Sequence, residues 1–365
     1  MSPAPTNPLI PHTHAPFWPS TMSAARFASR IHTDSPQGCR VALLGLPDDL
    51  GVRMNGGRPG AALGPPSFRH ALSRYGVHDP LGTEFPLVFD AGDVVPSADP
   101  KLTSEANLAR THARVHEAAS ALHALGLFPI AIGGGHDLTL PFVQAAIEAE
   151  RKRVPSTPPA PPTPFGGIYF DAHLDVRAAA GSGMPFRRLI EDHGVGPISI
   201  TGLQPLVNSR EHVRWFAEHG GLFDGATIDA AGNPVKPANP GPLTAGFLSL
   251  DLDVFDQSIA PGVSAMNPSG AMPRDITPRL LRAAASPWVR CFDIMELCPT
   301  HDEQGRTARL AAHMFLVFLT GFASGPQAGK VEERRQSKSK AAPQASQSTL
   351  DEAVAALLRA DPFPK

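Results

Sequence analysis

Three short segments of the sequence group acids and histidines of the kinds that bind metal ions in proteins. They are Gly133-Gly134-Gly135-His136, Asp171-Ala172-His173-Leu174-Asp175 and Asp251-Leu252-Asp253. Side chains at alternate strand positions share one face, so Asp171, His173 and Asp175 project together if strand geometry continues through them. The same alternation places Asp251 beside Asp253. Such a strand end is a poor arrangement unless a cation binds there.

Convergence of these segments predicts a centre with two metal ions. Four aspartates would repel one another, and two divalent cations would balance their charge. A pair of metals bridged by water is a known hydrolytic device. One motif alone is better explained as a turn or an N-cap, but three motifs that each follow an apolar strand indicate a metal centre. Carboxylates with only His136 and His173 as nitrogen ligands favour Mn²⁺ over zinc.

The segments follow apolar runs that predict buried strands. The predicted strands cover residues 41–46, 87–89, 127–132, 168–170, 198–200, 247–252 and 291–297. Helical stretches such as residues 104–125 separate most of them, and this alternation is typical of a parallel sheet covered on both faces. Ligands of such sheets gather beyond the carboxyl ends of the strands, which is where the three motifs lie.

The composition excludes several classes of protein. The chain has 365 residues with a formal net charge of −2, which provides no basic field for nucleic acid or an anionic membrane. Its 3 cysteines are too few for a disulfide framework and suit a reducing compartment. The longest apolar run, near residues 311–322, is too short to span a bilayer. We therefore expect a cytoplasmic protein without nucleic-acid or membrane partners, and residues 1–33 only weakly resemble an organellar signal.

Proline-rich and polar stretches divide the chain. They predict a poorly ordered extension over residues 1–36, a catalytic domain over 37–324 and a disordered linker over 325–348. A proline-rich insert at residues 152–166 interrupts the domain. Capping-box spacing and an apolar stripe predict a short helix at residues 349–360.

Together with further segments, the three motifs resemble the signatures of the ureohydrolases, the family of arginase, agmatinase and formimidoylglutamase. The further segments are residues 45–52, 55–58, 293–296 and 305–308. The resemblance extends from about residue 41 to about residue 310. It implies a single three-layer α/β domain with an eight-stranded, mostly parallel sheet, two Mn²⁺ ions per chain, and assembly into trimers or hexamers.

The resemblance also assigns roles residue by residue. The ligands of the two ions would be His136, Asp171, His173, Asp175, Asp251 and Asp253. Glu296 would bind the cationic amidine or guanidine of the substrate, since an amidinium needs a partner carboxylate. Asp175 would also pass a proton to the leaving nitrogen.

Details around the ligands resemble formimidoylglutamase more than arginase or agmatinase. Asp137 follows the first histidine, where the other two mostly carry Ser or Ala. Ser182 stands where they place a histidine, and it begins the run Ser-Gly-Met-Pro-Phe-Arg, which is similar to that branch. The resemblance thus implies hydrolysis of N-formimidoyl-L-glutamate to L-glutamate and formamide.

This substrate carries two carboxylates, which need cationic partners. Arg177 and Arg187 lie shortly after metal ligands and could bind carboxylates bidentately. Each could instead form a surface ion pair. Asn208 belongs to a further segment similar to formimidoylglutamase and is another candidate for substrate binding.

Three other functions stay open at this point. The chain could be an agmatinase, a guanidinobutyrase or a related guanidine hydrolase, each of which releases urea. It could be a catalytically silent regulatory member, although such proteins normally lose metal ligands. Deacetylase-like amidohydrolases share the layered fold but use a single zinc and a different ligand pattern. Counting the metals and identifying the product separate these alternatives.

Overall fold

A computed structural model describes residues 7–19, 23–76, 78, 82, 84–153, 164–224, 227–228, 234–235 and 243–326. Most of the predicted proline-rich insert lies outside these residues, because the described chain stops at residue 153 and resumes at residue 164. The predicted C-terminal helix and nearly all of the predicted linker also lie outside them, so these stay predictions.

Strands and helices alternate along most of the described chain. The strands are β1 (Thr13–His14), β2 (Ile31–His32), β3 (Val41–Leu46), β4 (Val88–Val94), β5 (Phe128–Gly133), β6 (Phe165–Phe170), β7 (Ile198–Thr201), β8 (Gly221–Phe223), β9 (Thr227–Ile228), β10 (Pro234–Val235), β11 (Ala245–Asp251) and β12 (Val289–Met295). The α-helices are α1 (Leu50–Met54), α2 (Gly64–Leu72), α3 (Ser104–Ala124), α4 (Thr139–Arg153), α5 (Pro185–His193), α6 (Arg210–Glu218), α7 (Pro273–Ala284) and α8 (Arg306–Ser324). Each predicted strand coincides with or overlaps one of these strands.

Ten of the described strands form one sheet in the order β1-β4-β3-β5-β12-β11-β6-β7-β8, with β2 also paired to β4. All of its pairings are parallel except that of β1, which runs antiparallel to β4. The predicted α/β class with a mostly parallel sheet is therefore confirmed. The predicted count of eight strands is too low, because β1 and β2, of two residues each, add to the edge at β4.

Those two short strands come from the stretch predicted to be poorly ordered. In its described residues, 7–19 and 23–36, the chain packs against the domain instead of extending away from it. Phe27 is fully buried with its ring centroid 5.4 Å from that of Phe85, and the indole N–H of Trp18 donates to Asp90 at 2.9 Å. The proline content had predicted that the entropy lost on ordering this stretch would outweigh its contacts. In the described residues, burial of aromatic side chains offsets that loss.

Helices cover both faces of the sheet and make it the middle of three layers. On β3, Leu43 belongs to a core cluster with residues of α2, α7 and α8, whereas the next residue, Leu44, belongs to one with residues of α3, α4 and α5. Among the described helices, α8 alone is long and apolar enough to cross a membrane, but 67% of that stretch is buried inside the protein. It packs against α2 and α7, as a core helix does.

Four central strands bring the predicted motifs to one edge of the sheet. The order β5-β12-β11-β6 makes them neighbours, and they end at Gly133, Met295, Asp251 and Phe170. Because all four run parallel, the segments that follow them emerge side by side.

Candidate metal centre

The structure brings His136 together with three carboxylates at the carboxyl ends of β5, β6 and β11. His136 Nδ1 lies 3.2 Å from Asp171 Oδ2, 3.0 Å from Asp175 Oδ2 and 3.1 Å from Asp251 Oδ2. We call these four residues the first ligand group. They could hold one metal ion, since one atom from each lies within 4.8 Å of the others.

A second ligand group consists of Asp171, His173 and Asp253. His173 Nδ1 lies 2.8 Å from Asp253 Oδ2 and 3.7 Å from Asp171 Oδ1. Asp171 therefore belongs to both groups and turns one oxygen toward each. All six residues predicted as ligands meet in this arrangement of two adjacent sites.

Unpartnered atoms in the cluster test whether metal ions fit it. His136 Nδ1 and Asp171 Oδ2 are buried and form no hydrogen bond with any described residue, although they face each other at 3.2 Å. Burial, reinforced by neighbouring carboxylates, raises the pKa of Asp171 to about 6 and raises the pKa of Asp251 well above its usual range. Converging lone pairs and crowded carboxylates are what a pair of divalent cations would satisfy, so the residues fit two such ions.

Loops rather than strand alternation make these ligands converge. Strand β6 ends at Phe170, so Asp171, His173 and Asp175 lie in the loop after it, and Asp253 lies in a 3-10 turn after β11. The alternate-face explanation is therefore wrong, although the residues it selected do meet. Asp175 adopts a φ of 48°, a left-handed conformation that is uncommon outside glycine.

Asn208 braces the loop that carries Asp171 and Asp175. Its Oδ1 accepts from the Leu174 N–H at 2.9 Å, and its Nδ2 donates to the Ala172 carbonyl at 2.8 Å. Both polar atoms of this side chain, which was predicted to bind substrate, thus form hydrogen bonds with the backbone of the ligand loop. We assign it to positioning of the ligands.

Sequence reasoning missed two groups behind His136. Its Nε2 lies 2.9 Å from the hydroxyl of Ser249, and that hydroxyl donates to Asp293 Oδ1 at 2.5 Å. The only signal in the sequence was position, because Ser249 alternates with Asp251 and Asp293 begins the segment that ends in Glu296. The ring of Phe186 also packs edge-on against His136, with centroids 5.1 Å apart.

Glu296 lies directly beside the first ligand group. Its Oε1 accepts from the backbone N–H of His136 at 3.0 Å, while Oε2 is buried without a hydrogen-bond partner in the described part of the chain. Burial raises the pKa of Glu296 to about 8, and its φ of 64° is again left-handed. A buried carboxylate with one free oxygen is suited to a cationic, hydrogen-bonding ligand such as an amidinium.

The two predicted arginines have different surroundings. Arg187 Nε lies 3.0 Å from Glu191 Oε1, and its guanidinium lies 4.6 Å from the ring centroid of Trp215. These contacts match the surface-ion-pair alternative. Arg177 is exposed and forms no ion pair with a described residue, and its stem packs over Gly183, where a Cβ would lie 3.0 Å from Arg177 Cδ.

Comparison with known proteins gives a consistent result. The model of the Arginase family matches residues 39–320. The formimidoylglutamase of Aromatoleum aromaticum is 34% identical over 295 residues, covering 77% of this chain and 82% of that protein. The formimidoylglutamase of Halobacterium salinarum is 31% identical over 291 residues, covering 77% of this chain and 87% of that protein.

Solved structures show the same relationship. A crystal structure of Trypanosoma cruzi formiminoglutamase with Mn²⁺ superposes with a TM-score of 0.68 at 28% identity, covering 82% of this chain and 99% of that chain. Formimidoylglutamase from Bacillus subtilis gives a TM-score of 0.67 at 22% identity, covering 85% of this chain and 95% of that chain, which shows a shared fold. The resemblance predicted from the motifs is confirmed, and the chain belongs to the Arginase family, whose members are hydrolases.

Proposed function

We propose that the chain hydrolyses the C–N bond of N-formimidoyl-L-glutamate to L-glutamate and formamide, with two Mn²⁺ ions in the metal centre. Several relatives named formimidoylglutamase, at 30–34% identity, support this substrate, and the Mn²⁺ in the T. cruzi structure supports the metal. The observation that carries the proposal is Oε2 of Glu296, which is buried beside the ligand groups and has no hydrogen-bond partner among the described residues. It supplies the negative charge that the formimidoyl cation requires.

The first ligand group would hold one Mn²⁺ ion and the second group the other, with Asp171 contributing to both. When bound, two such cations lower the pKa of water and stabilise the charge that develops on the substrate. The rest of the mechanism depends on side chains of this chain.

Glu296 would orient the substrate. The hydrogen bond from the His136 N–H holds Oε1, so the carboxylate cannot rotate freely and Oε2 has a fixed direction. An amidinium that donates to Oε2 would therefore present its carbon at a defined position, which lowers the entropic cost of reaction. Its positive charge would also keep Glu296 ionised despite burial.

Asp175 would move the proton to the leaving nitrogen. Its side chain is 15% exposed, whereas those of Asp171 and Asp251 are 0% and 3% exposed. Asp175 is thus the carboxylate of the first ligand group that reaches toward the open side of the site. Proton transfer from this position would let the glutamate nitrogen leave as a neutral amine.

Arg177 would bind the acidic end of the substrate. It follows Asp175 by two residues, and the exposed guanidinium forms no ion pair with a described carboxylate. Arg187 is already held by Glu191 and Trp215, so we assign it no substrate contact. A cation at the acid end would also repel agmatine, whose corresponding end is an ammonium.

A substrate panel tests the proposal. We would incubate the Mn²⁺-loaded chain with N-formimidoyl-L-glutamate, agmatine and 4-guanidinobutyrate and measure formamide and urea. We expect formamide from the first compound only, and an E296Q variant should reduce kcat/KM by about 10–100-fold, since a hydrogen bond to a charged group contributes about 1.5–3 kcal/mol. Urea from either guanidine would overturn the specificity, and no product from any substrate would support a silent member.

Assembly and location are further parts of the proposal. We propose a homo-oligomer, a trimer or hexamer, on the basis of the resemblance, and a cytoplasmic location because 3 cysteines suit a reducing compartment. Light scattering on the purified full chain tests the oligomer, and a monomer at micromolar concentration would contradict it.

A further inference from the structure

His136 is held from behind by two polar side chains inside the sheet. Its Nε2 lies 2.9 Å from Ser249 Oγ, and Ser249 Oγ lies 2.5 Å from Asp293 Oδ1. All three residues are 0% exposed. Buried polar groups destabilise a folded protein unless every donor meets an acceptor. The positions of the protons along this row of three groups are therefore constrained.

The direction of these hydrogen bonds follows from their chemistry. An ionised carboxylate only accepts, so the Ser249 hydroxyl donates its proton to Asp293. The Ser249 oxygen then accepts from Nε2–H of His136. This arrangement selects the neutral tautomer of His136 that leaves the lone pair on Nδ1, the atom that faces Asp171, Asp175 and Asp251.

Rigid elements carry the pair. Ser249 and Asp293 are direct register partners in β11 and β12, and Asp293 is also the partner of Ala131 in β5. The same strand β5 leads into His136, so the three groups come from three adjacent central strands. Positions fixed by strand pairing are held more precisely than positions on loops.

We propose that Ser249 and Asp293 act as positioning residues that set the orientation and tautomer of His136, and thereby the metal affinity of the first ligand group. This inference rests on the proposed two-metal function and deepens it. Outer partners of this kind commonly change metal affinity by about 10–100-fold. The second ligand group does not contain His136 and shares only Asp171 with the first group, so its metal affinity should change far less.

The alternative is that the two hydrogen bonds only stabilise the core. Ser97 provides a matched control, because it is buried and its hydroxyl donates to Asn107 Oδ1 at 2.7 Å between β4 and α3. S97A and S249A each remove one buried hydroxyl and should lower the free energy of unfolding similarly. Only S249A removes an acceptor from a metal ligand.

Mn²⁺ titration of the metal-free full chain, followed by electron paramagnetic resonance, distinguishes the two explanations. We expect wild type to bind two ions, S249A to raise one of the two dissociation constants by about 10–100-fold, and S97A to change neither by more than about threefold. Equal affinities in S249A and S97A, or equal weakening of both sites in S249A, would overturn the inference. Failure of wild type to bind two ions would instead overturn the proposed function.

Two substitutions at Asp293 provide a second test if S249A does not fold. D293N keeps an oxygen acceptor for the Ser249 hydroxyl and should retain Mn²⁺ affinity within about threefold of wild type. D293L removes the acceptor and should weaken one site, though less than S249A, because Ser249 can still accept from Nε2. Equal Mn²⁺ affinity in D293N and D293L would contradict the positioning role.

Discussion

Two clusters of buried charge in this molecule are neutralised in different ways. In the arginine cluster, the fully buried Arg69 binds Asp90 at 2.7 and 3.0 Å and Asp93 at 2.7 Å. In the metal centre, four aspartates face two imidazoles and leave buried atoms such as His136 Nδ1 without hydrogen bonds to described residues. The arginine cluster contains its own permanent cation, whereas the metal centre has ligand groups that could hold cations from outside the chain.

Protonation behaviour shows the same contrast. Burial opposes the charge on Arg69, but Asp90 and Asp93 raise its pKa above the usual value. The guanidinium therefore stays protonated. In the metal centre, burial and the neighbouring carboxylates raise the pKa of Asp171 to about 6. Without metal, protons must therefore compensate part of the negative charge.

The largest effect is expected from removal of the internal cation. R69L leaves Asp90 and Asp93 buried and uncompensated, which should lower the free energy of unfolding by about 3–5 kcal/mol. Denaturant unfolding of the Mn²⁺-loaded protein measures the change. R279L is a matched control, because Arg279 pairs with Asp224 at 3.1 Å on the surface, with both side chains at least half exposed, and should cost about 0–1 kcal/mol. Similar losses in both variants would contradict the assigned role of Arg69.

Removal of one carboxylate from the metal centre should affect binding instead of folding. D253N deletes a charge from the second ligand group, so we expect Mn²⁺ content to fall and activity to fall by at least about 100-fold, while the unfolding free energy of the metal-free protein is kept. Metal analysis after dialysis against chelator and reloading, with assay of formamide, gives both values. D256N, at a half-buried aspartate that belongs to neither ligand group, should behave as wild type. Full activity in D253N would refute the ligand assignment.

A pH series on the metal-free protein tests the proton compensation. The folded pKa of Asp171, about 6, exceeds its usual value of 3.8, so the folded state holds the proton more tightly than the unfolded state. Its contribution to stability is fully present below the unfolded pKa and is lost as pH rises through about 6. Between pH 5 and pH 7, wild type should lose about 1 kcal/mol more unfolding free energy than D171N. Parallel curves for the two proteins would contradict this explanation, and Mn²⁺ should restore stability to wild type at pH 7.

The smallest effect is expected at the exposed rim of the site. R177A should raise KM for N-formimidoyl-L-glutamate by up to about fivefold, because ion pairs in contact with solvent contribute little, and should leave kcat nearly unchanged. R187A provides the comparison, since Glu191 and Trp215 already hold that side chain. A larger rise of KM in R187A than in R177A would reverse the assignment of the acid end.

The metal ligands could be predicted from residue types near strand ends. Contacts between segments distant in sequence could not be predicted in this way. Asp171, His173 and Asp175 could be selected because they follow an apolar strand, yet the loop that unites them depends on Asn208, more than 30 residues away. The Ser249–Asp293 pair arises from strand register, and Arg69 reaches its partners from a helix. Neither leaves a local periodic signal.

The described part of the N-terminal stretch shows the same limit of local sequence patterns. Proline content and polar residues pointed away from order, and no local pattern showed that Phe27 would be buried next to Phe85 and Phe315. Composition reports on the entropy of a segment, but not on the surface available to bury it.

The left-handed backbone at Asp175 and Glu296 has a consequence for how this protein can be improved. Each non-glycine residue held at positive φ costs about 1–3 kcal/mol, and glycine would relieve that cost while deleting the carboxylate. Selection for thermal robustness alone would therefore favour losing these two side chains. Keeping the two side chains therefore lowers the stability of the fold, while it provides a geometry that is useful only in catalysis.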